Sequence, residues 1–173
     1  MPLDHVIQPE YLEIEPGVRL KKFDGDLEEM LQGYQDPVVY QNSDGIFEED
    51  KIPNREYIKG MCAYLDRVGE FYFIQVLENG EYVSVGDVTV KSENPPIAIW
   101  QSKYRGIGLG TKVMKAVMKR LSSLGYQKIT GTVIFKWNLA SQKMHEKLGF
   151  YRVRETDKEY IYEYLIPGKP KPD

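Results

Sequence analysis

The chain has 173 residues, 42% of them hydrophobic and 28% charged, which is the composition of one globular domain and excludes a disordered or fibrous chain. Lys and Arg number 23 against 26 Asp and Glu, a net charge of −3, and such a balance does not favour nucleic acid. A single cysteine, Cys62, excludes an internal disulfide and a cysteine-built zinc site, and the apolar runs are too short to span a bilayer. The first residues have neither the basic nor the apolar stretch of a signal peptide, so the expected setting is cytoplasmic. Residues 1–167 are expected to form one domain and 168–173 a frayed tail.

Two short extended pieces are predicted within 10–23, turning at Pro16-Gly17. Asp26 and Glu29 have capping-box spacing ahead of a helical face made by Leu27, Met30, Leu31 and Tyr34. A second helix is predicted over 53–68, with Pro53 in its first turn and Gly69 as its stop. Aromatic and β-branched residues over 71–77 and 82–90 flank Asn79-Gly80, a strong hairpin signal because both turn residues must take positive φ. A short strand over 97–101 leads through glycines into a helix that ends at Leu124, with Gly125 as its cap. A strand over 128–135 and a helix between Asn138 and Gly149 follow, then an antiparallel pair over 150–154 and 160–166. The order describes a mixed α/β fold with a partly antiparallel sheet and about four helices.

The sharpest local feature is Tyr104-Arg105-Gly106-Ile107-Gly108-Leu109-Gly110-Thr111-Lys112, which joins a strand to a helix. Glycines without Cβ atoms let successive N–H groups converge on an anion at a helix N-terminus, and Arg105 adds charge. Lys112 is followed by Val113, which fails the P-loop pattern, and Thr111 stands where a dinucleotide fingerprint needs glycine. A structural turn without a ligand is the alternative. Further on, Asn138-Leu139-Ala140-Ser141 opens a helix that closes Glu146-Lys147-Leu148-Gly149-Phe150. Taken alone, that segment is a well-capped short helix.

Together the two segments resemble the GNAT acetyltransferase superfamily. Residues 105–110 match its Arg/Gln-x-x-Gly-x-Gly/Ala element, and residues 138–150 its Asn-x-x-Ala/Ser…Glu-Lys-Leu-Gly-Phe element, in the right order and with one strand between. The resemblance implies a central mixed sheet splayed into a V that holds acetyl-CoA as cosubstrate. It implies that the N–H groups of Gly106, Ile107, Gly108, Leu109, Gly110 and Thr111, with Arg105, hold the pyrophosphate. Ile99, Trp100 and Gln101 would pair with the pantetheine arm, one of their N–H groups polarising the thioester carbonyl. Asn138 and Ser141 would face them from the other arm.

The implied chemistry is direct attack of an amine on the thioester, with no acyl-enzyme. Many relatives carry Tyr seven residues after the Asn, to protonate the leaving thiolate. Here that position is His145. Ser141 matches a donor position in relatives that act on ribosomal-protein N-termini and is preferred over His145, which is either a donor when protonated or a structural histidine. Asp87, set among Val85, Val88 and Val90, is a candidate base. The favoured alternative is an outward or bulge-forming carboxylate beside Gly86. Asp44, Glu48, Glu49 and Asp50 would gather a cationic amine or, more simply, form a solvated run. The acceptor is expected to be a small-molecule or peptide amine, with no metal, nucleic acid or membrane partner and a homodimer open. A sensor that binds acyl-CoA without turnover is the reading from a different class.

Overall fold

The computed structural model describes residues 6–168. The elements are β1 (Tyr11–Glu15), β2 (Val18–Lys22), α1 (Glu28–Gly33), α2 (Pro37–Asp44), α3 (Arg55–Val68), β3 (Glu70–Glu78), β4 (Glu81–Val90), β5 (Ile97–Ile99), α4 (Leu109–Ser123), β6 (Lys128–Phe135), α5 (Leu139–Lys147), β7 (Tyr151–Glu155) and β8 (Glu159–Leu165). Strands β1 to β5 form one antiparallel sheet in chain order, and β6-β8-β7 form a second. They touch through a parallel bridge between Glu93 and Thr130. There Asn94 and Thr130 exchange backbone bonds with the opposite segment, and the Asn94 side chain accepts the Val133 N–H at 3.0 Å. Past that point β5 and β6 share no ladder, and a cleft opens between them.

β3 is buried along most of its length because both of its faces are covered. Tyr72, Ile74 and Val76 face a core completed by Val113, Met114, Val117 and Leu121 of α4. Phe71 and Phe73 face a second core with Met30, Tyr34, Ile58, Cys62 and Trp100 from the α1 and α3 side. Truncating Ile74, Met114, Leu121, Met30, Ile58 or Phe71, each 0% exposed, to Ala should cost about 2–5 kcal/mol. At Asn79 and Gly80, φ is 51° and 81°, the left-handed pair that closes the β3–β4 hairpin. A bulge then places Val85 as an extra residue between the pairs Ile74–Gly86 and Gln75–Ser84. The bulge resets the alternation of β4 and sends Asp87 to the α1 side.

Several expectations need correction. Helix α2 lies in a stretch where no helix is expected, so the described residues hold five α-helices. Asp36 caps it and Pro37 is its first residue, but its apolar residues are consecutive and hide the period. The Asp26–Glu29 capping box does not form. Leu27 is the N-cap, and Asp26 accepts the Glu28 N–H at 3.0 Å. Asn54, not Pro53, starts α3 by accepting the Tyr57 N–H. Gly69 is extended (φ −161°), and its need for glycine is steric, since a Cβ there would stand 2.6 Å from the Val90 carbonyl. Strand β5 ends at Ile99, two residues short of expectation. Both sheets are antiparallel, and the Glu93–Thr130 bridge is the parallel element. Residues 169–173 of the expected tail lie outside the described residues.

Candidate active site

The chain leaves β5 through a short 3-10 turn (Ser102–Tyr104) and enters α4 over Gly106 (φ 74°) and Gly108 (φ 86°). A Cβ on either glycine would meet nothing within 4 Å, so the space over the turn is open. Among the described residues, none of the N–H groups from 106 to 111 donates to a protein acceptor. The first N–H groups of a helix have no partner within it and carry partial positive charge. The turn therefore suits an anion. Gly110 also lets α5 approach, since its Cβ would lie 3.1 Å from Met144 Sδ. Arg105 bridges two elements: Nη2 donates to Asp36 Oδ2 at 2.8 Å, and Nη1 reaches the Ile99 carbonyl at 3.4 Å.

The facing wall is the start of α5. Asn138 Oδ1 accepts the Ser141 N–H at 3.2 Å, which fixes the first turn. His145 Nδ1 lies 2.8 Å from the Ser141 carbonyl and 3.2 Å from Ser141 Oγ. A carbonyl only accepts, so Nδ1 carries the proton and the Ser141 hydroxyl hydrogen is not bound by the ring. His145 is buried against Phe150, and that burial lowers its pKa below 6.5. A protonated His145 at neutral pH is thereby disfavoured, against one of the two roles expected for it.

Asp87 forms the floor. It is 1% exposed, not outward or within the bulge. Tyr34 Oη and Trp100 Nε1 both donate to its Oδ2, at 3.0 and 2.7 Å. Burial pushes its pKa up to about 7, the two donors offsetting part of the cost and the Asp44 charge adding to it. Beside it, the Trp100 N–H is spent on the Val85 carbonyl at 2.8 Å, and the Pro96 carbonyl accepts the Thr89 N–H. Antiparallel strands alternate the direction of their backbone groups, so the N–H groups of Ile97 and Ile99 turn away from β4 toward the cleft.

The cleft holds about 790 Å³. Of the residues singled out from the sequence, Asp87, Ile99, Arg105, Gly106, Gly108, Gly110, Thr111, Asn138, Ser141 and His145 line it. Trp100, Gln101, Ile107 and Leu109 do not. Trp100 packs behind Asp87, Leu109 anchors α4 in the core, and Ile107 is exposed to solvent. The acidic run separates, because Asp44 lines the cleft while Glu48, Glu49 and Asp50 face solvent. Tyr34, Tyr64, Thr132 and Phe135 also line the cleft and were missed. Only Tyr34 gave a signal, as part of a helical stripe. Among the described residues, no group of three His, Cys, Asp or Glu side chains is placed to hold a metal, and no helix is long and apolar enough to cross a membrane.

A family model described as the Acetyltransferase (GNAT) family matches residues 37–150. The chain belongs to the GNAT acetyltransferase family. The match includes the glycine turn and the whole of α5. No curated protein matches the sequence. Among solved structures, a domain from Methanocaldococcus jannaschii is similar with a TM-score of 0.72 and 24% identity, covering 86% of this chain and 97% of that one. The acetyltransferase from Salmonella typhimurium that modifies the N-terminal serine of ribosomal protein L7/L12 has a TM-score of 0.64 and 14% identity, covering 91% and 100%. The microcin C7 self-immunity acetyltransferase MccE, solved with acetyl-CoA and AMP, has a TM-score of 0.66 and 11% identity, covering 91% and 97%. At these identities the likeness is one of fold, and this GNAT acetyltransferase shares the sheet and helix arrangement of all three.

Proposed function

We propose that the protein transfers an acetyl group from acetyl-CoA to a primary amine, on a small molecule or a peptide N-terminus, by direct attack within a ternary complex. One observation carries this reading. A single cleft brings together an anion-binding turn, a serine hydroxyl and a carboxylate with a pKa of about 7. The open N–H groups of 106–111 would hold the pyrophosphate, and the Ile99 N–H would donate a hydrogen bond to the thioester oxygen as it gains charge.

The amine nitrogen attacks the carbonyl carbon, and the C–S bond breaks as the C–N bond becomes an amide. The nitrogen sheds a proton and the sulfur must gain one. Both donors to Asp87 sit on Oδ2, which leaves Oδ1 as the basic atom for the amine proton. With a pKa near 7, Asp87 is half ionised at neutral pH and can also give the proton up again. Ser141 Oγ–H, not held by His145, would hydrogen bond to the sulfur as it becomes thiolate and pass it a proton from water.

The test is steady-state release of coenzyme A thiol in the presence of a panel of primary amines, together with the acetyl-CoA-induced shift in melting temperature. Turnover that requires an amine supports the reading. A melting shift without thiol release for any amine would identify a sensor instead.

A further inference from the structure

We propose that Arg105 is a positioning residue for the amine: through Asp36 it holds α2, and with α2 one wall of the cleft, against the glycine turn. This role rests on the amine acetyltransferase reading of the cleft. Helix α2 lends the cleft Val38, Val39, Asn42 and Ser43. It is eight residues long and buries Val39 and Tyr40. A helix this short is marginal in water by itself, so its place depends on what ties its ends.

Both ends are tied to segments that would hold acetyl-CoA. At the N-terminus, Asp36 Oδ1 caps the helix by accepting the Val38 N–H at 3.0 Å, and Oδ2 takes Arg105 Nη2 at 2.8 Å. Nη1 of the same guanidinium lies 3.4 Å from the Ile99 carbonyl, so Arg105 spans from the end of β5 to the cap of α2. At the C-terminus, the Gln41 carbonyl accepts Trp137 Nε1–H at 3.1 Å, one residue before Asn138. The Trp137 ring stacks on Phe135 at 4.6 Å and 7°. Phe135 in turn fills the space over Gly45, where a Cβ would stand 2.8 Å from its ring. Helix α2 is thus slung between the turn that would take the pyrophosphate and the start of α5.

The Asp36 carboxylate balances the Arg105 charge, which leaves the pyrophosphate to the N–H groups of 106–111. Asp87 and Ser141 sit on β4 and α5, so loosening α2 does not displace them. It weakens the hold on the amine in ground state and transition state alike, which raises KM and spares kcat.

The experiment compares wild type with Asp36→Asn, Arg105→Gln and the double variant. Asn caps a helix as well as Asp does but cannot form the ion pair. The measurements are KM and kcat for 1-aminopentane at saturating acetyl-CoA, the dissociation constant of coenzyme A, and hydrogen exchange of the α2 amides in the coenzyme A-loaded protein. Asp36→Asn should raise KM about three- to fivefold, the scale of an ion pair whose side chains are 25% and 32% exposed. Its kcat and coenzyme A affinity should stay within about twofold of wild type, and its α2 amides should exchange faster. Arg105→Gln and the double variant should reach the same KM, because the two residues act as one contact. Tighter coenzyme A binding in Asp36→Asn would overturn the proposal, since Asp36 would then compete with phosphate for Arg105. So would separate, additive rises in KM, or α2 exchange equal to wild type. If 1-aminopentane releases no thiol, the acetyltransferase reading is judged on its full amine panel, while the exchange rates still decide whether Arg105 holds α2.

Discussion

Trp100 Nε1 donates a 2.7 Å hydrogen bond to Asp87 Oδ2, on the same oxygen that takes the Tyr34 hydroxyl. The indole reaches this position because Gly33 has no side chain. A Cβ at Gly33 would stand 2.5 Å from Trp100 Cβ. A glycine at the end of α1, a tryptophan just past β5 and a carboxylate on β4 thus form one assembly, in which both donors go to Oδ2 and neither to Oδ1.

Replacing Asp87 by Asn keeps an acceptor for both donors and removes the basic oxygen. The kcat/KM for an amine should fall by about 10²–10⁴-fold, the usual worth of a positioned base. The wild-type rate should rise with an apparent pKa near 7, and that rise should be absent from the pH profile of the variant. Stability gives an independent reading. The folded pKa of Asp87 is raised from 3.8 to about 7, so the folded protein holds a proton that the unfolded chain releases. Its contribution is fully present below about pH 4 and is lost as the pH rises through 7. Asp87→Asn should therefore gain stability relative to wild type between pH 4 and 8, with an upper bound on the order of 4 kcal/mol for a shift of this size. Urea unfolding of both proteins at pH 5 and pH 8 measures it.

Gly33→Ala should push Trp100 from Asp87. Overpacking of this kind costs about 1–3 kcal/mol, visible as a lower melting temperature. The apparent pKa of the rate profile should rise, because a donor that favours the ionised carboxylate is displaced. A profile unchanged from wild type would show that Trp100 does not tune the base.

The glycine turn and the α5 cap should separate in their effects on ligand. Gly108→Asp puts bulk and negative charge where the N–H groups converge and should abolish the thermal shift given by acetyl-CoA. Asn138→Ala loses the Ser141 N–H cap, worth about 1 kcal/mol. Its dissociation constant for coenzyme A, measured where both proteins are fully folded, should nevertheless weaken. An equal constant would make Asn138 a cap alone.

Ser141→Ala should lower kcat more than it weakens acetyl-CoA binding, because hydrogen bonding to the thiolate matters mainly in the transition state. His145→Phe should cost less in kcat, since burial keeps the imidazole neutral. A full rate for Ser141→Ala beside a severe loss in His145→Phe would reverse the two roles.

Local backbone chemistry was legible without a structure. Asn79-Gly80 had to turn left-handed, and Gly149, with φ 101°, had to follow a helix that Asn138 caps. The glycines of 106–110 announced a strand-to-helix turn open to an anion, and β6 spans the predicted 128–135. Each of these signals lies within a few neighbouring residues, where steric limits on φ and unpaired helix-end groups decide the outcome. Helix α2 was missed for the complementary reason. Its Asp36 cap and Pro37 are local signals, but Val38, Val39 and Tyr40 run consecutively without a helical period. The tertiary structure alone decided the rest of the site. The face on which Asp87 lies depends on the bulge at Val85, and its pKa on Tyr34, 53 residues away, and on the burial that α1 and Trp100 impose. Asp44 left its acidic neighbours for the cleft when α2 packed beside β5. Desolvation and long-range partners set both carboxylates, and neither quantity exists in a chain until distant segments meet.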